Sequence, residues 1–481
     1  MAISDYEVVI GLEVHVELAT ESKLFCSCST KFGAGPNENT CPACVGLPGM
    51  PAVLNRRAVE LGITAGLLTN SEITRTIAFE KKNYYYPDLP TGYQITQLFA
   101  PICRNGRVKI KTPDGNEREI HLKQIHIEED AGKLVHDARA RRSLIDLNRA
   151  GVPLIEIVSM PDFHNSDEVI AYLERLRALL SFAGVSDCRM QEGSMRCDVN
   201  ISLRPWGQEE LGVRTEMKNI NSFRSISRVI EYEIGRHAEA LDKKTGELRQ
   251  ETRRWDDGAG KSFSMRSKEN ATDYRYFQNP EIPPVDISDE WIETMRAALP
   301  ESSQDMFDRL TGELEIPEFE AGIITGNRNL AEVFNATCAA GAPVRELATW
   351  MVVELLSLRK SDDGSEATIQ ISAGNFAALI GLVLDKKITR ATGKKVLARM
   401  LEDGIDPVEF VKSEGLESQN DEGELRALII TVMSENPKPV GEFKDGNEKV
   451  FGFLVGQIMR KTAGKAEPGL VNSILREELQ K

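Results

Sequence analysis

The stretch YEVVIGLEVHVEL, residues 6–18, alternates without a slip. Val8, Ile10, Leu12, Val14, Val16 and Leu18 fall on one parity; Glu7, Val9, Gly11, Glu13, His15 and Glu17 fall on the other. A period of two held over this length predicts a strand with one face in a core and one face open. The open face sets Glu13, His15 and Glu17 at successive same-side positions. Two carboxylates and an imidazole so grouped suit a hard cation or acid–base work, which points to an enzyme.

Working outward, charged strand faces recur. Residues 126–133 read HIEEDAGK, with three consecutive acids, Glu128, Glu129 and Asp130. Glu192, Ser194, Arg196, Asp198 and Asn200 share one parity, while Val199, Ile201 and Leu203 take the other. Glu216 and Lys218 share a face in VRTEMKN. One polar face alone is ordinarily just solvated. Several together predict one charged side of a sheet. Acids suit Mg²⁺ and Lys or Arg suit phosphate, the combination phosphoryl transfer needs. The usual nucleotide signatures are missing: Trp255 stands where a P-loop ending at Gly260-Lys261-Ser262 needs its first glycine, and no G-x-G-x-x-G occurs. Spacing alone therefore leaves nucleotide use a hypothesis. The run KKNYYYPDLP, residues 81–90, either cradles a phosphate or stacks on a base through Lys82, Asn83 and Tyr85, or packs on the sheet as a tyrosine-rich loop.

Cys26-x-Cys28, twelve residues, then Cys41-x-x-Cys44 places thiols in two close pairs. Each pair can span one edge of a tetrahedron, as in a closed structural Zn²⁺ site; four unrelated cysteines or a redox pair are the alternatives. The N-terminus lacks a basic and apolar leader, so a disulfide framework is not expected and the chain reads as cytoplasmic, or from an equivalent reducing compartment. No run of 18 apolar residues occurs, so no membrane span is expected.

At 481 residues, length predicts about three domains. Asp114-Gly115 signals a hairpin, and Val169, Leu173, Leu176 and Leu180 mark a helix over 167–183, with Asn165 and Glu168 at its start and Gly184 as its stop. A second helix is expected over about 222–242. Composition shifts at Pro280–Pro284, and from about 289 onward the pattern is helical. We expect an α+β fold: a strand-rich domain over 1–292, a helical domain over 293–405 and a helical tail over 406–481. The net charge of −15 argues against generic DNA coating but leaves room for local basic patches. One holds Lys386, Lys387, Arg390, Lys394, Lys395 and Arg399; another holds Arg460, Lys461 and Lys465 among Gly452, Gly456 and Gly464.

The runs GLEVHVEL, CPAC-x-GLPGMPAVLN, KKNYYYPDLPTGYQITQ, EEDAGK, DLNRAGVPLIEIVSMPD, EGSMRCDVNISLRP, ETRRWDD and DYRYFQNP resemble, in order, the B-subunit family of the tRNA-dependent amidotransferases. The closing run GFLVGQIMRKTAGKAEPGLVNSIL resembles that family's tail. No inserted synthetase-like domain of the archaeal kind is present. The resemblance implies a cradle-like catalytic domain, a helical domain and a tRNA-binding tail. It implies a ligase that uses ATP to phosphorylate the side-chain carboxyl of Glu-tRNA(Gln) or Asp-tRNA(Asn), then amidates it with ammonia. It implies Glu13, His15, Glu128 and Glu216 as Mg²⁺ candidates, with Glu129 and Glu192 as further catalytic carboxylates. Lys82, Asn83 and Tyr85 would face phosphate or the aminoacyl end; Arg196, Asp198, Asn200 and Lys218 would position substrate. Lys394, Lys395, Arg460, Lys461 and Lys465 would contact tRNA. The partners implied are an amidase (the A component) that supplies ammonia from glutamine and a small C component, in a heterotrimer. The family contains members with and without the four cysteines, so a structural Zn²⁺ rests on this chain's own residues.

Overall fold

The computed structural model describes residues 5–137, 141–243, 248–267, 274–358, 369–418, 422–462 and 465–481. Asp273 and Gly464, which belong to motifs quoted above, lie outside the described residues. The chain divides into two compact units, residues 1–302 and 303–481.

In the first unit nine of the described strands form one sheet. In chain order they are β1 (Tyr6–Glu17), β2 (Glu72–Ile73), β3 (Cys103–Lys111), β4 (Glu117–Glu129), β5 (Pro153–Ser159), β6 (Met195–Pro205), β7 (Thr215–Lys218), β8 (Glu251–Asp256) and β9 (Lys261–Ser267). Their order across the sheet is β9-β8-β7-β6-β1-β5-β4-β3-β2. The alternating first strand is therefore the centre of the sheet. Its neighbours β5 and β6 both run antiparallel to it, whereas β7 and β8 pair in parallel.

One face of the sheet is closed. Ile10, Leu12, Val14 and Val16 are buried, in one core with residues from helices α1 (Arg56–Leu68), α2 (Ser166–Phe182) and α3 (Phe223–Lys243). Burying a side chain of this kind contributes roughly 1.5–3 kcal/mol. Helix α2 starts as its sequence dictates: the Glu168 backbone N–H donates to Asn165 Oδ1 at 2.9 Å, and Gly184 follows its end at φ 70°. A hairpin, Glu80–Asn83 with Tyr93–Thr96, carries the lysine–tyrosine run beside the other face.

A polar network joins α3 to the β7–β9 edge. Glu233 is fully buried, bonded by Arg236 at 2.7 Å and by the Ser262 hydroxyl at 2.5 Å. Buried His237 lies 2.9 Å from Thr215 Oγ1, 3.2 Å from Arg236 and 3.6 Å from Glu233. Burial, then Arg236 and Arg253, depress its pKa to about 3, although Glu251 pulls the other way. The folded protein thus holds His237 neutral, while the unfolded chain protonates it below about pH 6.5. Its share of stability is complete above that pH and is lost as pH falls towards 3. At pH 5 the loss is expected to be about 2 kcal/mol relative to pH 7.5. Urea midpoints at the two pH values check this: His237→Gln should flatten the acid limb, and an identical limb in the variant would contradict it.

The second unit is helical throughout its described elements. Its last helices, among them Glu422–Glu435, Lys449–Lys461 and Pro468–Gln480, share a core that includes Leu425, Ile429, Leu454, Ile458 and Leu475. Within this unit Lys394 lies 3.2 Å from Glu354 and Lys461 lies 2.6 Å from Glu435. Lys395 and Arg460 are exposed, and Lys465 is half-buried.

Candidate active site

The open face of the sheet is a cleft of about 440 Å³ whose walls are charged. Strand register builds it. His15 stands opposite Glu156 on β5 and Arg196 on β6, and Glu156 in turn stands opposite His126 on β4. One pleat along, Glu13 stands opposite Asp198, while Asn200 faces Glu216. Residues two apart on a strand share a face, so five strands deliver their polar side chains to one surface.

Two clusters result. In the first, His15 Nε2, Glu128 and Glu156 bring their ligand atoms within 4.8 Å of one another. His15 lies 3.4 Å from Glu156 and 3.7 Å from Glu128; His126 lies 3.1 Å and 3.6 Å from the same two acids. Burial disfavours the charged imidazoles, but Glu156 and Glu128 outweigh it, holding His15 above its ordinary value and His126 at about 10. In return, although desolvation pulls the other way, His126 and His15 hold half-buried Glu156 well below the carboxylate range. The Thr96 hydroxyl donates to Glu128 at 3.1 Å.

In the second cluster, Glu13, Asp198 and Glu216 also converge within 4.8 Å. Burial, with Glu156 and Glu216 nearby, raises Glu13. Lys218 bonds Asp198 and lies 3.0 Å from Glu216. Burial works against its ammonium, yet those two carboxylates keep it charged. Asn200 donates to Glu13 at 3.1 Å, and Thr252 donates to Glu216 at 2.9 Å. Arg196 donates to buried Asp130 at 2.7 Å. Lys82 reaches the cleft from the hairpin, 5.0 Å from the Tyr274 ring, and Tyr276 lines the same wall.

The structure thus brings together Glu13, His15, Glu128, Glu216, Lys82, Arg196, Asp198, Asn200 and Lys218. Four expected residues lie elsewhere. Glu192 precedes β6 in a turn and pairs with Arg189 at 2.8 Å; Gly193, at φ 86°, breaks the parity that placed it with Arg196. Glu129 points away from the face that Glu128 serves, accepts the Ile95 N–H at 2.9 Å and lines a separate cavity with Lys23 and Cys44. Burial raises its pKa to about 7. Asn83 donates to the Arg275 carbonyl at 2.8 Å and does not line the cleft. Tyr85 is 86% exposed and lines an open groove with Pro87 and Pro90.

Glu156, His126, Asp130, Tyr274 and Tyr276 line the cleft without a role that the sequence alone assigns them. Glu156 has one signal: it is the only charge in the otherwise apolar strand PLIEIVS.

The four clustered cysteines meet as well, all four sulfurs within 4.8 Å of one another. Cys44 Sγ lies 4.0 Å from Cys28 Sγ and 3.9 Å from Cys41 Sγ. A tetrahedron with Zn–S bonds of about 2.3 Å has edges of about 3.8 Å.

Comparison with known proteins agrees with this architecture. Residues 8–293 match the family described as the GatB/GatE catalytic domain, and residues 332–479 match the GatB domain. The chain is 49% identical over 476 residues to the B subunit of the aspartyl/glutamyl-tRNA(Asn/Gln) amidotransferase of Lachnoclostridium phytofermentans, covering 99% of each chain. It is 49% identical over 481 residues to the protein of the same name from Caldicellulosiruptor saccharolyticus, covering 99% of this chain and all of that one. The Brevibacillus brevis counterpart is 45% identical over 477 residues, again with 99% of both covered.

Proposed function

This chain belongs to the B-subunit family of the tRNA-dependent amidotransferases, and from that premise we propose that the charged face of its sheet performs the ATP-dependent chemistry. The enzyme amidates Glu-tRNA(Gln), Asp-tRNA(Asn) or both, with ATP as the energy source. The observation that carries the site assignment is the pair of acid clusters flanked by Lys82, Arg196 and Lys218 in one cleft.

Oxygen-rich clusters of this spacing fit Mg²⁺, with Glu13, Asp198 and Glu216 as one ligand set and His15, Glu128 and Glu156 as another. When bound, Mg²⁺ supplies neutralisation of phosphate charge. The chain's own cations do the rest of the positioning. Lys218, Arg196 and Lys82 hold phosphate oxygens in line with the substrate carboxylate. The substrate carboxylate oxygen attacks the γ-phosphorus, ADP leaves, and ammonia then displaces inorganic phosphate from the acyl carbon. Tyr274 and Tyr276 offer stacking surfaces for a base beside Lys82.

Ammonia comes from a partner. Cys103, Cys188 and Cys197 are buried and Cys338 is half-buried, and burial pushes each thiol up, away from the thiolate a glutaminase nucleophile needs. We assign the supply to an amidase, the A component, with a small C component completing a heterotrimer. The four cysteines hold a structural Zn²⁺: all four sulfurs lie within 4.8 Å of one another, two of the spacings, 3.9 and 4.0 Å, come close to a tetrahedral edge, and a full set of four thiolates leaves no open position. Among the described residues no helix is long and apolar enough to cross a membrane. We assign the chain to the cytoplasm from the aminoacyl-tRNA substrate of its bacterial relatives.

We place tRNA binding on the helical unit and propose a division within that unit near residue 405. Lys395→Ala with Arg460→Ala is expected to raise the KM for tRNA several-fold with kcat unchanged, and to flatten the salt dependence by about one unit of slope for each lost phosphate contact. Filter binding across a salt series checks this; unaltered slopes would remove these residues from the tRNA surface. The site assignment itself is tested by ATP-dependent conversion of Glu-tRNA(Gln) with ammonium chloride in place of glutamine. A fall in conversion with cleft variants supports it, and full activity in those variants makes the chain a scaffold.

A further inference from the structure

Lysine is almost never fully buried unless it is paired. Lys23 is 1% exposed. Its Nζ donates to the Leu147 carbonyl at 3.1 Å and to Cys44 Sγ at 3.5 Å. Among the described residues no carboxylate oxygen forms an ion pair with it within 4.0 Å; Glu129, in the same cavity, acts on it only from farther away. A neutral thiol is a weak acceptor and gives a buried ammonium little compensation, whereas a thiolate compensates it directly. The Cys41 backbone N–H also donates to Cys44 Sγ, at 3.2 Å, so two donors converge on one sulfur.

We propose that Lys23 is the counter-ion of the four-cysteine metal centre, a positioning residue that orients Cys44 Sγ by N–H···S donation. The inference rests on the zinc reading above. A divalent cation with four thiolates carries a net charge of about −2, and one buried ammonium halves it. Donation to sulfur also withdraws electron density, so Cys44 is less open to protonation and to attack by electrophiles, while the ammonium offsets the centre's negative charge. The same side chain ties the centre to the cleft. Leu147 begins the segment whose Arg149 donates to the Ala131 carbonyl and lies 3.4 Å from Asp130, the partner of Arg196. Gly151 closes that segment against the pair: a Cβ there would stand 3.6 Å from Lys23 Cδ and 3.8 Å from Cys44 Cβ.

The test uses the full chain purified with its partner proteins. Zinc content is measured first, then the rate of zinc transfer to a colorimetric chelator, in the wild type, Lys23→Met and Lys23→Gln. Methionine keeps the length and removes the charge, and an ordinary packing role would leave metal kinetics unmoved by it. The expected result is one zinc per chain and about 10–100-fold faster loss in Lys23→Met, the range typical of removing a ligand's hydrogen-bonding partner. In cobalt-substituted protein the sulfur-to-cobalt charge-transfer band should move to lower energy in the same variant. Wild-type loss rates with an unmoved band would overturn the role of Lys23 while leaving the zinc reading intact. A wild-type chain that purifies without zinc, and takes up none on reconstitution, would overturn both. Should Lys23→Met not fold, Lys23→Gln decides: it keeps an N–H donor without the charge, so accelerated loss supports the counter-ion and a wild-type rate refutes it.

Discussion

Glu128→Gln is expected to lower ammonium-supported formation of Gln-tRNA(Gln) by at least about 10²–10³-fold, the scale on which removing one preorganised electrostatic group acts. Glu128 is 4% exposed and stands between His15, His126 and the Thr96 hydroxyl. The amide matches the carboxylate in shape, so packing and the β4–β5 register should survive. What disappears is the charge. With it goes part of the attraction that keeps His15 and His126 above their ordinary pKa values, and one oxygen of a proposed Mg²⁺ set. Affinity for tRNA, which we place on the helical unit, should not change. Retention of the variant's activity within a few-fold of wild type would show that the carboxylate is structural.

Cys41→Ser is expected to empty the metal centre and to destabilise the first unit by more than about 4 kcal/mol, since loss of a metal belongs to the short list of mechanisms that reach such values. The segment from Thr30 to Pro51 has little else within it to order it. Its described backbone between Thr30 and Pro51 is turn and coil, with Gly33, Gly46 and Gly49 at positive φ. Few apolar side chains are buried there, so the four sulfurs fix the fold of the loop. The consequence extends to the cleft, because Asn37 and Asn39 of this loop bond to residues 145–148 next to Arg149. Zinc stoichiometry and thermal unfolding with and without a chelator check the expectation; a chelator-insensitive melting curve equal to wild type would contradict it.

Much of this is legible in the amino-acid sequence, for physical reasons that also mark where legibility ends. The first strand declares itself because its two faces meet different solvents. Helix α2 declares itself because its cap and its stop are local chemistry. The hairpin at Asp114-Gly115 joins β3 to β4 as its turn residues require. Which strands neighbour β1 is not local information. Only the observed order, with β5 between β1 and β4, lets the lone acid of PLIEIVS meet two histidines. Strand geometry corrects two of the expected placements. Glu128 and Glu129 are consecutive on one strand and cannot share a face. The parity of β6 does not carry back to Glu192, because the chain turns at Gly193 before the strand begins at Met195. The four-cysteine spacing, by contrast, is sufficient to bring four sulfurs together, since two short pairs joined by a turn-rich loop leave little else for them to do.

The activation chemistry, on this account, belongs to the charged sheet face of this chain. Its most direct test is single-turnover conversion of Glu-tRNA(Gln) with ATP, Mg²⁺ and ammonium chloride, comparing the assembled enzyme with its Glu13→Ala and His15→Ala forms. Free ammonia bypasses the glutaminase, so the assay reads only the step assigned here. The expected result is conversion that requires ATP and Mg²⁺ and is lost in both variants while tRNA binding persists. Conversion at the wild-type rate in both variants would contradict the assignment and move the chemistry off this chain.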